Sequence, residues 1–440
     1  NFTGWNKPTP HTVWSYDVPS SKWNSKDMSD QNSVELVTTA HPISATVPSL
    51  GKGYFLGGVA GADEPEYPNR RKRSLLTYDF NAKTWRNEST SWTERSYGVM
   101  VHVPIGERGM LITIGGYTAV GTLPSYLETA TLDRIDIYNL NKPASAGAEG
   151  TWSRTQSTSA ANPADGIPKA RGNTCAVVVA APDNSSFQVY MYGGAALAGR
   201  YTVYKDMWVL SIPSFQWSLI SNGSDGLTDP LASQQHPGQR EGHTCNLVGK
   251  NIMMMFAGRV LPNFARPCET TGLYAFNMTS LEWIDEYDPD AANVTYKVPK
   301  QIYSVIGGNA NGGAKQLPVG GVADDDLRTT FSSWVANVKT VSEPAPQFTA
   351  AGGHGSSSNT AAANSSPPTA AIAGGVVGGI GGVAVIGVIL FLWRRQKRSM
   401  QSEEPYKVSN DPDSVQELGS GEHLSSSFTT SAQRVLIFPS

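Results

Sequence analysis

Residues 190–217 read YMYGGAALAGRYTVYKDMWVLSIPSFQW. A short apolar run, Tyr190-Met191-Tyr192, ends in the glycine pair Gly193-Gly194, a second run spans Met207 to Ile212, and Trp217 stands seven residues after Leu210 of the triplet Leu210-Ser211-Ile212. Short apolar runs bounded by turn residues read as strands, and two runs separated by about four turn residues read as a hairpin. Paired glycines at a strand end permit positive φ and let backbones approach closely where strands crowd together.

The same arrangement recurs along the chain. Trp23, Trp85, Trp152, Trp217 and Trp283 are 62, 67, 65 and 66 residues apart. Tyr16-Asp17-Val18, Tyr78-Asp79-Phe80 and Phe276-Asn277-Met278 each stand seven residues ahead of their tryptophan, while Tyr138-Asn139-Leu140 is followed by seven extra residues of Gly/Ala/Ser character before Trp152. Glycine pairs recur at Gly57-Gly58, Gly115-Gly116 and Gly193-Gly194, with Ala257-Gly258 in the fourth place. A further strand precedes each pair, opened by Arg95, Arg171 or Arg240. Each unit is then four short antiparallel strands that cannot bury both faces alone and must stack on its neighbours.

Four-stranded units with a glycine pair after the second strand and a tryptophan on the fourth resemble kelch repeats. The resemblance covers residues 1–310 and implies an all-β, kelch-type β-propeller of five to seven blades, six preferred, its first blade incomplete. Val298-Pro299 and Ser304–Gly308 look like the first half of a further blade, which the N-terminal hairpin would complete, closing the ring and removing exposed sheet edges. Residues 311–341 read as irregular, with a short amphipathic helix over Asp324–Val338. The tryptophans are expected in equivalent, largely buried positions between neighbouring sheets.

Beyond the repeats, residues 342–370 are dominated by Ser, Thr, Ala, Pro, Gly and Asn and read as an extended stalk. Residues 371–393 are 23 consecutive uncharged, mostly apolar residues, long enough for a transmembrane helix. Arg394, Arg395, Lys397 and Arg398 follow at once, and the nearest basic residue before the span is Lys339. The expectation is a single-pass membrane protein with residues 1–370 extracellular or lumenal and the tail, 394–440, cytoplasmic and disordered. Gly374, Gly378 and Gly382 recur every four residues, either as a face for helix dimerisation, hence a homodimer, or as part of a merely glycine-rich helix. The chain begins at Asn1 with no signal-like segment nearby, so the expectation is a processed or fragmentary sequence. Sequons at Asn1, Asn87, Asn184, Asn222, Asn277, Asn293 and Asn364 all precede the span, which suits a glycoprotein.

With 34 basic and 37 acidic residues the formal charge is -3, so the broad electrostatic footprint of a nucleic-acid binder is missing. Three cysteines in an oxidising compartment leave one unpaired. Cys175 and Cys245 read as equivalent strand positions in adjacent blades, too far apart to join. The expected disulfide is therefore Cys245 with Cys268, leaving Cys175 as a buried thiol or the partner of a missing segment.

Some kelch propellers are enzymes. Galactose oxidase holds copper through two His and two Tyr with a Tyr–Cys cross-link, and an extracellular copper-radical oxidase is the alternative function that the resemblance allows. His11, His41, His102, His236 and His243 are the histidines on offer, and none pairs at a metal-ligand spacing on one strand. His243 suits a turn-holding role at the opening of a strand. Asp324-Asp325-Asp326 is either a cation-ligand run or a solvated helix start. Trp5, Trp14, Trp92 and Trp334 lie outside the repeated place and either bind a ligand or pack under loops. The expected function is that of a surface-anchored binding protein with neither catalytic residue nor cofactor, recognising a protein or glycan through its propeller loops.

Overall fold

A computed structural model of the chain describes residues 12–27, 39–60, 74–89, 94–119, 127–143, 148–153, 156–197, 201–223, 236–260 and 272–338. Outside these fall the stalk, the apolar span with Gly374, Gly378 and Gly382, the tail, Cys268, His11, Trp5 and Trp92. Among the described residues no helix is long and apolar enough to cross a membrane.

Strands β1 (Thr12–Asp17) and β2 (Lys22–Asp27) pair as a hairpin that is a unit separate from the remaining elements. Four sheets follow, each built on a four-stranded antiparallel meander, with a short fifth strand added in the second and third. The first is β3 (Ile43–Val47), β4 (Lys52–Leu56), β5 (Ser74–Asp79) and β6 (Thr84–Ser89). The second is β7 (Val99–Val103), β8 (Met110–Ile114), β9 (Arg134–Asn139) and β10 (Thr151–Trp152). The third is β11 (Cys175–Ala180), β12 (Phe187–Tyr192), β13 (Met207–Ile212) and β14 (Gln216–Ser221). The fourth is β15 (Thr244–Val248), β16 (Ile252–Phe256), β17 (Leu273–Asn277) and β18 (Glu282–Ile284).

The seven-residue spacing is the register of the outer hairpin. Tyr78, Tyr138, Leu210 and Phe276 are the direct cross-strand partners of Trp85, Trp152, Trp217 and Trp283. Ring centroids lie 4.8, 5.0 and 5.0 Å apart in the three aromatic pairs, and Tyr16 and Trp23 of β1–β2 repeat the contact at 5.1 Å. Directly opposed side chains on one sheet face stabilise the pairing.

Three apolar clusters join the sheets. Ile43, Tyr54 and Leu75 of the first sheet meet Met100, Leu111 and Tyr138 of the second. Ile112 and Ile137 of the second meet Val189, Leu210 and Trp217 of the third. Val177, Tyr190 and Val209 of the third meet Met253, Met255 and Phe276 of the fourth. Successive side chains point to opposite faces of a strand, so every inner sheet gives one face to each neighbour.

Burial of the repeated tryptophans is graded and not uniform, which corrects one expectation. Trp217 is completely buried, Trp85, Trp152 and Trp283 are partly buried, and Trp23 is 53% exposed. The physical reason is local: Ser159–Ala160 adds a parallel fifth strand along β14, and Trp217 Nε1 donates to Leu132 O at 3.1 Å.

Two further expectations are corrected. Residues 298–308 do not begin a blade, because Lys300–Ile306 is a helix, α2, preceded by the shorter α1 (Pro289–Ala292). Ile302 and Ile306, four apart on one helical face, enter the cluster between the third and fourth sheets. The disulfide joins Cys175 to Cys245 at a Cα separation of 5.4 Å. Cys175 lies opposite Tyr192, next to Gly193-Gly194, whereas Thr244 lies opposite Phe256, next to Ala257-Gly258. Cys245 is therefore one residue out of step with Cys175. Equivalent residues would point the same way around the stack; a one-residue offset turns the two thiols to facing surfaces.

The expected helix is present as α3 (Asp325–Ala336), N-capped by Asp324, whose carboxylate accepts from the Asp326 amide. Asp325 pairs with Arg328, and Asp326 pairs with Lys142, so the acidic run is a helix start. Leu327 and Phe331 are buried in the cluster between the second and third sheets, Phe331 meeting Phe215 edge-on at 5.5 Å. Trp334 packs beside Phe187 at 6.0 Å, while Trp14 is 53% exposed.

Candidate binding face

Each meander carries its glycine pair, or Ala257-Gly258 in the fourth, its second-to-third-strand connection and the start of its first strand at one end. There the backbone is bound from sheet to sheet. Tyr97 N donates to His41 O at 3.2 Å, Asn173 N to Tyr97 O at 2.7 Å, and Gly242 N to Asn173 O at 2.8 Å. His41, Tyr97, Asn173 and Gly242 each stand just ahead of the first strand of a sheet, and all are left-handed, with φ of 54°, 59°, 52° and 64°. Asn and Gly adopt that region readily. His does so more often than most side chains and Tyr seldom, and the opening residues of the first two sheets gave no signal in the sequence.

The glycine pairs answer this relay. Gly58, Gly116 and Gly194 donate their amides to Arg95 O, Arg171 O and Arg240 O, each at 2.9 Å. The second residue of each pair has φ between 90° and 102°, outside the left-handed well that a side chain can use. The first sits near 60°, and Ala257 holds that place in the fourth sheet with φ of 54°.

The three opening arginines, legible in the sequence, fix this end from inside. Arg95 pairs with Asp136 at 2.9 Å. Arg171, fully buried, makes a two-pronged bond to Asp206 at 2.6 and 3.0 Å and donates to Gly193 O at 3.0 Å. Arg240, also fully buried, donates to Ala257 O and Pro237 O and lies over the Tyr274 ring. His243 Nε2–H donates to Tyr192 O of the neighbouring sheet at 3.1 Å, so its ring bonds across two sheets at this end. Burial, reinforced by the charge of Arg240, holds its imidazole pKa down at about 3, so the ring stays neutral.

Above this frame lies a polar and aromatic surface drawn from all four sheets. His41 stacks on Tyr97 at 4.1 Å, and Tyr97 meets Tyr117 at 5.4 Å. Tyr117 lies on a short strand just past Gly116 and donates to Ala195 O at 3.2 Å. Asn173 Nδ2 donates to Glu241 Oε2 at 3.2 Å. Glu241 is buried, yet its other oxygen accepts from Arg259 Nε at 2.8 Å and from the Tyr201 hydroxyl. Arg259 also donates to the Tyr201 oxygen at 2.8 Å. Tyr201 is 39% exposed, and burial together with its bond to Glu241 pushes the phenol up to about 12. None of these residues except His41, which was weighed for copper, and the glycines was singled out in the sequence. They are scattered from 41 to 259, and only stacking of the sheets unites them.

Cys175, His243 and Cys245 are the one group of potential metal ligands within reach of one another among the described residues. The two sulfurs are bonded to each other, so neither is a thiolate ligand. His102 hydrogen-bonds Arg108 O at 2.9 Å, and His236 lies beside Trp283. The histidines weighed for a copper centre thus stand in separate structural roles, or, for His11, outside the described residues. Of the expected glycan acceptors, Asn87, Asn184, Asn222 and Asn293 are exposed. Asn277 is half-buried and accepts the Thr279 amide at 2.9 Å.

No family profile matches the chain. It is 30% identical over 386 residues to a kelch repeat-containing protein of Arthroderma benhamiae, a match taking in 73% of this chain and 53% of that protein. The chain thus spans about half the length of the curated relative it matches. Among solved structures, that of YjhT is similar with a TM-score of 0.40 and 12% identity, over 62% of this chain and 74% of that one. The Arthroderma relative, with the tryptophan recurring in all four sheets and the glycine pair in three, Ala257-Gly258 taking its place in the fourth, supports a kelch-repeat propeller.

Proposed function

We propose that the chain is a membrane-anchored kelch-repeat binding protein that takes a protein or glycan ligand at the glycine-pair face. The observation that carries the choice of face is the Tyr201–Arg259–Glu241 cluster. It holds an exposed ring and an exposed guanidinium on a buried carboxylate, at the one end of the sheets where residues of all four converge. Convergent polar groups on a rigid frame are what a specific ligand needs. The anchoring half of the reading is supported by the apolar stretch 371–393 and the basic residues after it, and the outside placement by four exposed sequons.

Protease protection of full-length chain carrying a tag at each end tests the orientation, with cleavage of residues 1–370 from outside expected. For the face, full-length chain and its Arg259→Ala variant are compared for retention on cells or matrix. Equal retention with an unchanged melting temperature would move the site elsewhere.

A further inference from the structure

We infer that the ligand of this face is an uncharged saccharide, an inference that rests on the reading of the face as the binding site. The first ground is charge. The negative charge of Glu241 is met by Arg259, Arg95 is met by Asp136, and Arg171 by Asp206. A charged ligand group set on the Tyr201–Arg259–Glu241 cluster would have to compete with the Arg259–Glu241 pair, and the partner of a buried charge such as Glu241 is costly to remove.

The second ground is shape of chemistry. Tyr201 and the stacked His41–Tyr97 pair offer partly exposed rings, each with a polar tip, and the exposed guanidinium of Arg259 stands beside the Tyr201 oxygen. Rings that are apolar on the face and polar at the edge suit a molecule with both C–H and hydroxyl surfaces, and a few placed polar groups fix its orientation.

The third ground separates a sugar from a protein partner. Protein interfaces are built around a desolvated aromatic or aliphatic anchor cluster within roughly 800 Å² per partner. Of the exposed large apolar side chains among the described residues of the four sheets and their connections, Tyr201, Leu247, Val294 and Val319, only Tyr201 belongs to this face.

The test is a glycan array probed with detergent-solubilised full-length chain, followed by titration of the best neutral oligosaccharide. Binding should fall at least tenfold in Tyr201→Ala and in Arg259→Gln, remain in Trp14→Ala, and change less than twofold when salt is raised from about 0.05 to 0.5 M, because no ion pair forms with the ligand. The two face variants guard against one of them misfolding. Preference for sulfated or uronic-acid glycans, a steep salt dependence, or no saccharide bound would overturn the inference. If no sugar binds but a protein captured by the chain is lost in Tyr201→Ala, the saccharide falls and the face stands; if sugar binding survives both face variants, the face falls with it.

Discussion

Trp217, on the fourth strand of the third sheet's meander, donates its indole N–H to the carbonyl of Leu132, on the connection leading into β9 of the second. Trp23 holds the same place in its hairpin and is half exposed. Emptying a completely buried aromatic site costs about 3–5 kcal/mol, whereas exposed positions change stability by about 0.5 kcal/mol or less. Trp217→Ala should therefore lose most of that range in chemical denaturation and Trp23→Ala almost none. Equal losses would mean that burial does not govern the repeated position.

The bridge between Cys175 and Cys245 closes a sequence separation of 70 residues. In the chain-entropy treatment a loop of that length stabilises by about 4 kcal/mol. Peptide mapping without reduction should recover this pair, Cys175→Ser should lower stability by up to that amount, and Cys268→Ser should leave it unchanged. A Cys245–Cys268 peptide would contradict the register of the two inner strands.

A methyl group at Gly194 would lie 2.7 Å from Gly172 O, at φ of 93°. Gly194→Ala should cost about 1–3 kcal/mol or more, the strain of a side chain in that region plus the clash. Ala257→Gly, at a φ that alanine already accepts, should change stability by no more than about 1 kcal/mol. Thermal melts of the two variants decide this; a tolerated Gly194→Ala would show that the relay of backbone bonds yields easily.

His243 is neutral in the fold, with its pKa lowered from 6.5 to about 3. Between those values the unfolded chain binds a proton that the folded chain refuses. This contribution is therefore nil above pH 6.5 and destabilises progressively as pH falls, by up to about 1.4 kcal/mol per pH unit from this group alone. His243→Gln should flatten the fall in denaturation midpoint between pH 6.5 and 5 relative to the parent. Parallel curves would place the acid sensitivity in other groups.

How much of this was visible beforehand differs from element to element. Trp85 seven residues after Tyr78 encodes a directly opposed pair, so the outer hairpins could be read from spacing alone. The glycine pairs were equally plain, since no other residue takes φ near 95° without strain. The pairing of Cys175 was missed because Asn173-Thr174-Cys175 and His243-Thr244-Cys245 look alike. The true equivalence, Asn173 with Gly242, lies in backbone conformation. Ser304-Val305-Ile306 read as a strand because a short apolar run has no period that separates strand from helix. The Tyr201–Arg259–Glu241 cluster had no linear trace, its residues being brought together by stacking.

The placement of α3 has a mechanical side. Although it follows the fourth sheet in the chain, it is rooted by Leu327 and Phe331 between the second and third, and Ala323 N just ahead of it donates to Gln156 at 3.0 Å. Tension applied to the chain beyond residue 338 therefore loads the middle of the stack first. The fourth sheet, held to the third by Cys175–Cys245, is shielded from being peeled away by a pull from that side.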